Sequence, residues 1–460
     1  MTDVQSDMRV GDEWGSIGPE YLARVEAALA GDDQKLVRAI TGDLHAADLA
    51  DLIENLEQDN RVKLIAALGR EFDVEALAEL DEMVRDELLE ALPNDVIASA
   101  IKKLDTDDAL YLIEDMEKSE QEEILSKVSK QDRAALNRAL DYPEHSAGRL
   151  MQTEFVAVPE FWTVGQTIDH VRVAKDIPDD FVEIYVVDPG FHLKGVLPLA
   201  RVLRSGRDKK IADIMDGEQT VFKVLEEQED IAYKFEQYNL VSAAVVDDAG
   251  RLVGTLMVDD IVDVIQEEAE EDILHLGGVG SEETITDTVW QTTRSRFSWL
   301  FVNLLTAILA SWVISLFGGT IKQMVALAIL MPIVASMGGN AGTQTMTVAV
   351  RALATRNLGP LNAARVALRE SSVGLINGAF FAIIVGLFSW WWFGSDKLGL
   401  VIAAAMVINL LAAALAGILV PLTLDHLDID PAIASGTFVT TVTDVVGFFA
   451  FLGLATIWLL

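Results

Sequence analysis

The 460-residue sequence contains no cysteine, which excludes disulfides and thiolate-bound metals. It contains only six histidines, and none lies in the apolar segments described below, which argues against a pathway for zinc or copper. A phosphate-binding loop of the GxxxxGK[ST] type is also absent, so ATP-driven transport is not predicted. We do not predict an enzyme either. Residues 1–16 lack a basic segment followed by an apolar run, so we expect a disordered start rather than a secretory signal.

Positive charge is scarce, with 35 Lys and Arg against 72 Asp and Glu and a net charge of -37. Residues 297–460 contain six of each sign, so residues 1–296 hold the whole acidic excess, 66 against 29. Such a surface repels phosphates, which excludes nucleic acid as a partner, and it favours cations. Solubility alone is the alternative explanation for the acidic excess.

Five apolar segments follow Arg296, and each has about the 20 residues that a membrane-spanning helix needs. They are Trp299–Phe317, Met324–Val350, Ser371–Phe393, Val401–Leu424 and Ser435–Leu459. Arginines precede the first segment and fill the connection between the second and third. By the positive-inside rule, these arginines predict a cytoplasmic N-terminal half and an external C-terminus in the cell membrane.

The last apolar segment contains a carboxylate, Asp444, which costs roughly 2.5–3.5 kcal/mol at the middle of a membrane helix. Thr437 and Thr441 lie on the same helical face. No Lys or Arg lies in the middle of any of the five segments, so Asp444 is either protonated or neutralised by a mobile cation. The second interpretation predicts an ion pathway.

The second segment, "MGGNAGTQTMTV", carries a further polar stripe of Asn340, Gln344 and Thr347. Its glycines, Gly338, Gly339 and Gly342, allow close helix approach, and simple helix association is the alternative role for the whole group.

A single carboxylate is a poor site for a dry ion. Mg²⁺ keeps several waters and binds through one or two carboxylates, so a symmetric dimer with two copies of Asp444 suits a hydrated divalent ion. Spacing alone does not separate Mg²⁺ from Co²⁺, Ni²⁺ or Mn²⁺.

Residues 17–145 show apolar spacing of three to four throughout, which predicts helices, and repetition at roughly 20–30 residues predicts an α-superhelix. Two copies of a strand–helix–strand–turn–strand–helix pattern follow, over residues 146–208 and 209–266, with "YVVDPGFHLKGVL" aligned to "AVVDDAGRLVGTL". They resemble a tandem pair of CBS domains, a regulatory module that often dimerises. CBS pairs frequently bind adenine nucleotides, although no strong nucleotide fingerprint is present.

Residues 267–296 form a predicted connecting helix at the end of a run dense in carboxylates. Like charges at helical spacing destabilise a helix, and bridging divalent cations would relieve the repulsion. A solvated acidic helix is the alternative.

This domain order, with "MGGNAGTQ" and "DPAIASGTFVTTVTDVVG", resembles the MgtE family of magnesium channels over nearly the whole chain. The resemblance implies an α-helical membrane protein with five transmembrane helices per subunit over residues 297–460, a cytosolic α-superhelical N domain and tandem α/β CBS domains. It further implies a homodimer that takes up Mg²⁺ and is closed by cytosolic Mg²⁺.

The resemblance also implies site residues. The pore group is Asp444, Gly338, Gly339 and Asn340, and Thr441 joins it from the helical stripe. The implied regulatory Mg²⁺ ligands are Asp107, Glu227, Glu229, Asp260, Asp263, Glu268, Glu271, Asp272 and Asp430.

Three positions depart from the family pattern. Tyr111 and Asn239 stand where acids are expected, and Thr343 stands where Asn is common. We therefore expect a weaker or rearranged N-domain sensor, with little effect from Thr343, which keeps an oxygen.

Three other functions fit parts of the sequence. A membrane-anchored sensor without transport explains the soluble half but leaves Asp444 idle. A CBS-bearing anion channel conflicts with the negative charge in mid-span. A proton-coupled exchanger is compatible with a lone membrane carboxylate. Passage of Co²⁺ beside Mg²⁺ is also expected.

Overall fold

The computed structural model describes residues 17–174, 177–178, 181–280, 289–359, 361–427 and 429–459. The predicted disordered start, 1–16, lies outside these residues, as do residues 281–288 of the predicted connecting helix. The chain folds into two compact units, residues 1–265 and residues 266–460.

The first unit begins with nine helices among its described residues. They are α1 Pro19–Ala30, α2 Gln34–Thr41, α3 Ala46–Asn55, α4 Gln58–Leu68, α5 Glu82–Ala91, α6 Asn94–Ile101, α7 Thr106–Tyr111, α8 Lys118–Lys127 and α9 Lys130–Leu140. Polar caps start several of them: Asp33, Asp81 and Ser129 each accept a hydrogen bond from a backbone N–H in the first turn. Their apolar faces share one core, which confirms the predicted helical domain.

Tyr111, at the end of α7, has a packing role. Its ring lies 4.0 Å from the guanidinium carbon of Arg85, whose side chain is only 1% exposed. Arg85 also pairs with Asp86 and Asp115, at 3.2 and 2.8 Å. A buried cation needs such partners. The Tyr111 ring is one of them, because it covers the guanidinium of Arg85.

Two α/β repeats complete the first unit, after the short helix α10 Ala147–Leu150. The first contains β1 Ala157–Pro159, α11 Val164–Val173, β2 Glu183–Val187, β3 Leu193–Pro198 and α12 Leu199–Leu203. The second contains β4 Val221–Lys223, α13 Gln228–Tyr238, β5 Ser242–Val246, β6 Leu252–Met257 and α14 Val258–Gly277, which continues into the second unit. In each sheet the middle strand pairs parallel with the first strand and antiparallel with the third, and each hairpin has a register shift at the same place. The predicted order of elements is therefore confirmed.

The two repeats exchange their leading segments. A Cβ on Gly254, in the second repeat, would lie 2.6 Å from Sδ of Met151, which precedes the first repeat. Gly195 and Met215 make the reciprocal contact, at 3.0 Å. Met151 and Met215 thus have equivalent packing roles in the two repeats.

The backbone conformation explains why Asn239 stands where the family resemblance suggests an acid. It ends α13 in the left-handed conformation, with φ of 51°. Asn adopts this conformation more readily than most residues and commonly ends helices there.

The second unit contains six further helices among the described residues. They are α15 Val289–Leu316, α16 Gly318–Gln323, α17 Ala326–Ala354, α18 Ala363–Phe393, α19 Asp396–His426 and α20 Pro431–Leu459. Five of these, all but α16, are long and apolar enough to cross a membrane, α20 over Ser435–Leu459. Helix α19 is the most buried of the five and packs against α17, α18 and α20. Small residues permit this packing: a Cβ on Gly374 would lie 2.7 Å from that of Ala414.

We predict that Gly254→Ala lowers the apparent Tm by several degrees. Its new methyl group would meet Met151 and, at 2.7 Å, the backbone oxygen of Gln152, and overpacking of this kind costs about 1–3 kcal/mol. The measurement is thermal unfolding of the purified full-length protein. Gly217→Ala is the control, because nothing lies within 4 Å of its Cβ position. Equal melting of both variants would contradict the exchanged packing.

Candidate ion pathway and acidic clusters

Asp444 lies in α20 and is half-buried within the chain. Among the described residues, no hydrogen bond or ion pair joins its carboxylate to another group. The neighbouring threonines are anchored: Thr441 Oγ1 donates to the Thr437 carbonyl at 2.6 Å, and Thr437 Oγ1 donates to Asn303 Oδ1 of α15 at 2.8 Å. The face that carries Asp444 therefore extends to Asn303, which the threonine spacing alone does not reveal.

The glycine motif of α17 has two kinds of glycine. Gly338 is buried against Asn409 of α19, whereas no described residue has an atom within 4 Å of a Cβ on Gly339. Gly342 packs on α20, where its Cβ would lie 2.6 Å from a methyl carbon of Val439. Asn340 is exposed, and its Nδ2 lies 3.5 Å from Ser336 Oγ. The two sequence motifs, on α17 and α20, thus belong to packed neighbouring helices.

Asn409 is a polar residue that the predicted stripes do not include. It is fully buried, and its Nδ2 donates to the Val334 carbonyl of α17 at 2.8 Å. A signal was available, because Asn409 is the one polar side chain in the run from Leu398 to Val420.

A cluster of acids lies in the first unit, at the start of α7 and the start of α14. Burial raises the pKa of Asp107 well above its usual range, and the neighbouring charge of Asp260 raises it further. Burial likewise raises the pKa of Asp260, with Asp259 and Asp108 adding to the effect. Neither Asp107 Oδ2 nor Asp260 Oδ2 has a hydrogen-bond partner among the described residues. Two predicted ligands, Asp107 and Asp260, are therefore close together.

Further acids surround this pair. Burial raises the pKa of Asp108 to about 6. Burial also raises the pKa of Asp105, and the charge of Glu154 adds to that rise. Burial also raises the pKa of Glu79, which Asp263 raises further. Of these residues, only Asp263 was predicted as a ligand. Glu79 and Glu154 come near the pair only through the fold.

A hydrogen-bond network fixes the start of α7 within the first unit. Thr106 Oγ1 donates to Glu154 Oε1 at 2.8 Å, and the backbone N–H of Thr106 donates to Glu154 Oε2 at 3.2 Å. This contact orients the first turn of α7, which carries Asp107 and Asp108.

Glu227 and Glu229 lie at a different element. Glu227 caps α13 and Glu229 lies in its first turn, and both are exposed. Acids at a helix N-terminus are stabilised by the helix dipole, so this placement has a structural reason of its own.

A second cluster, in the second unit, joins α14 to the turn before α20. Burial raises the pKa of Asp272 to about 6, and the charges of Asp430 and Glu268 contribute to the rise. The side chain of His275 is 8% exposed, with Nδ1 at 3.2 Å from Asp430 Oδ2 and Nε2 at 3.6 Å from Glu271 Oε1. Two of the four predicted ligands here, Glu271 and Asp430, thus contact one buried histidine, which lies four residues after Glu271.

The donor sets fit a hydrated divalent cation. All the clustered acids offer oxygen, the ligand that Mg²⁺ prefers, and two buried oxygens lack partners. Among the residues that the structure describes, no group of three or more His, Asp or Glu is already arranged around one metal position. Binding through one or two carboxylates with retained water is the mode that remains.

Comparisons with known proteins agree with this architecture. A family model described as a divalent cation transporter matches residues 331–454, the MgtE intracellular N domain matches 44–145, and a CBS domain matches 211–267. The magnesium transporter MgtE of Thermus thermophilus is 31% identical over 441 residues, which cover 95% of this chain and 98% of that protein. That of Bacillus subtilis is 28% identical over 437 residues, covering 95% and 97%.

Two solved structures resemble the soluble part. The soluble part of a magnesium transporter matches with a TM-score of 0.50 and 26% identity, covering 54% of this chain and 98% of that one. The cytosolic domain of the Mg²⁺ channel MgtE, in complex with ATP, matches with a TM-score of 0.50 and 29% identity, covering 53% and 99%.

The five apolar helices, the paired α/β repeats and these matches define a multi-pass transporter of divalent cations, not an enzyme. The chain belongs to the MgtE family of magnesium transporters. Mg²⁺ is the substrate that this family carries.

We predict that lowering the pH from about 8 to about 5.5 raises the Tm of the Mg²⁺-free protein. The clustered acids have raised pKa values in the folded protein, so they hold protons there that the unfolded chain has already lost, and stability falls as the pH rises. Asp107→Asn should raise the Tm at the higher pH by several degrees, since about 1 kcal/mol shifts Tm by roughly 2–4 °C. Asp59→Asn, an exposed acid, is the control. A Tm that rises with pH would contradict the interpretation.

Proposed function

We propose that this protein is a Mg²⁺-selective channel that takes up magnesium and is gated by cytosolic Mg²⁺. The observation that carries the proposal is Asp444, a carboxylate in a spanning helix with no cationic partner among the described residues. A charge in that position requires a proton or a mobile cation. The exposed Asn340 and the threonines before Asp444 supply oxygens for the water shell of such a cation.

In the proposed pathway, two copies of Asp444 from a homodimer face one hydrated ion, with Gly338, Gly339, Asn340 and Thr441 lining the same region. The cytoplasmic side carries the N-terminal half, and the C-terminus is external. An inside-negative potential then drives a divalent ion inward with about 4.6 kcal/mol per 100 mV, twice the value for a single charge. Uptake therefore needs no ATP, and similarly hydrated ions such as Co²⁺ are expected to pass.

The acidic clusters are the proposed sensor. Carboxylates that lie close together repel one another unless a cation neutralises them. Asp107, Asp260 and Asp263 serve in the first unit, and Glu268, Glu271, Asp272 and Asp430 serve beside the membrane helices, with Glu227 and Glu229 as further ligands. High cytosolic Mg²⁺ binds the closed state preferentially and shifts the population towards it.

Adenine nucleotide is a proposed ligand of the CBS pair. The support is the similarity to a cytosolic domain solved with ATP. Its role would be regulatory, because transport here follows the ion gradient and the membrane potential.

Asp444→Ala is expected to reduce Mg²⁺ uptake by on the order of tenfold or more, since even outer-shell changes in metal sites cost about 10–100-fold. The measurement is uptake into liposomes that contain the purified protein and a Mg²⁺ indicator. Asp396→Ala, at the exposed start of α19, is the matched control. A folded Asp444→Ala protein with wild-type uptake would refute the pathway. Uptake that requires a pH gradient would indicate a proton-coupled exchanger. A wild-type protein without uptake would indicate a sensor.

Mg²⁺ is expected to protect the chain near Glu271 from proteolysis, because a neutralised cluster closes. The measurement is the cleavage rate from micromolar to tens of millimolar Mg²⁺. Asp272→Asn should raise the Mg²⁺ concentration needed for protection, and Asp59→Asn should leave it unchanged. Cleavage that does not vary over this range would count against the sensor.

A further inference from the structure

The fully buried amide of Asn409 lies where three of the spanning helices meet. It belongs to α19, its Nδ2 donates to the Val334 carbonyl of α17 at 2.8 Å, and it packs against a glycine on each of α17 and α20. A Cβ on Gly338 would lie 2.2 Å from Nδ2, and a Cβ on Gly447 would lie 2.8 Å from it. For both glycines, the three nearest atoms all belong to the Asn409 side chain. A side chain at Gly338 or at Gly447 would therefore overlap with the amide of Asn409.

The two glycines that contact Asn409 lie next to residues of the candidate ion pathway. Gly447 follows Asp444 by three residues on α20, which is about 4.5 Å along the helix axis. Gly338 precedes Asn340 by two residues on α17. The same side chain thus touches the backbone beside each of the two motifs expected to face the ion.

The amide of Asn409 also has an energetic cost at this buried position. Asn409 Oδ1 is buried without a hydrogen-bond partner among the described residues. A buried unpaired acceptor is unfavourable, and an apolar side chain would avoid it. The chemistry that an apolar side chain lacks is the hydrogen bond to Val334, which ties α19 to α17 one turn before Gly338.

We propose that Asn409 is a positioning residue for ion selection. It fixes the spacing between the Gly338–Asn340 segment and the Asp444 turn, and this spacing sets which hydrated ion fits. The inference rests on the proposed role of Asp444. Asn409 itself touches helices and not the ion, so its loss should change discrimination between ions more than it changes folding.

The first test compares Mg²⁺ and Ca²⁺ uptake by the full-length protein in liposomes. Asn409→Ala is expected to lower the ratio of Mg²⁺ to Ca²⁺ uptake by on the order of tenfold, as for other outer-shell residues of metal sites. Ser389→Ala is the matched control, because Ser389 is also fully buried in a spanning helix without a partner among the described residues. An unchanged ratio in a folded Asn409→Ala protein would overturn the proposal.

The second test asks whether removing the amide compensates for filling a glycine. Gly338→Ala should abolish Mg²⁺ uptake because its methyl group occupies the amide's position, and adding Asn409→Ala should restore uptake. Gly453→Ala, on α20, is the control for an added methyl group on a spanning helix, because the nearest atom to its Cβ position is 4.0 Å away. If Gly338→Ala fails to assemble, recovery of assembled protein in the double variant is the readout. A double variant no better than Gly338→Ala would overturn the proposal.

A parallel Asp444→Ala measurement separates the two claims. If Asp444→Ala retains wild-type uptake, the proposed function fails regardless of Asn409. If Asp444→Ala loses uptake while Asn409→Ala keeps the wild-type ratio, only the positioning role fails.

Discussion

Carboxylates without a fixed positive partner are the constraint on which this structure depends. In the membrane unit, Asp444 has no cation beside it among the described residues. In the first unit, burial and the charge of Asp260 raise the pKa of Asp107, while burial and the charges of Asp259 and Asp108 raise the pKa of Asp260. Such groups persist in a folded protein only if a proton or a metal ion neutralises them. The same physical problem therefore occurs in both units of the chain.

The surroundings of these carboxylates differ between the two units. Around Asp444, glycines and Asn409 pack the helices closely, so the carboxylate has a defined frame into which an ion with its water must fit. The acidic clusters instead depend on what binds them. His275, between Glu271 and Asp430, partly compensates its cluster. By contrast, the buried Oδ2 atoms of Asp107 and Asp260 have no hydrogen-bond partner among the described residues. The proposed function, uptake controlled by the transported ion, would use both the closely packed site around Asp444 and the acidic clusters.

Periodicity was sufficient to predict the helical domain, the paired repeats and the five spanning helices, because each depends on local spacing of apolar residues. Asp444 could be singled out since charge in an apolar run is rare. Asn409 carries a similar signal, as the one polar side chain in its apolar run, but its role and that of His275 come from contacts across 75 and 155 positions of sequence, which only the fold reveals. Tyr111 is a different case. The sequence shows that it departs from the family pattern, but only the structure shows the buried Arg85 that explains the departure.

Proton release on Mg²⁺ binding tests the central claim most directly. Calorimetric titration of the full-length protein in buffers of different ionisation enthalpy counts the protons that leave as the metal binds. Since metal ligands must be deprotonated, acids with raised pKa values predict release of protons at about pH 6 and less release at about pH 8. Binding of Mg²⁺ without proton release at either pH would contradict the account.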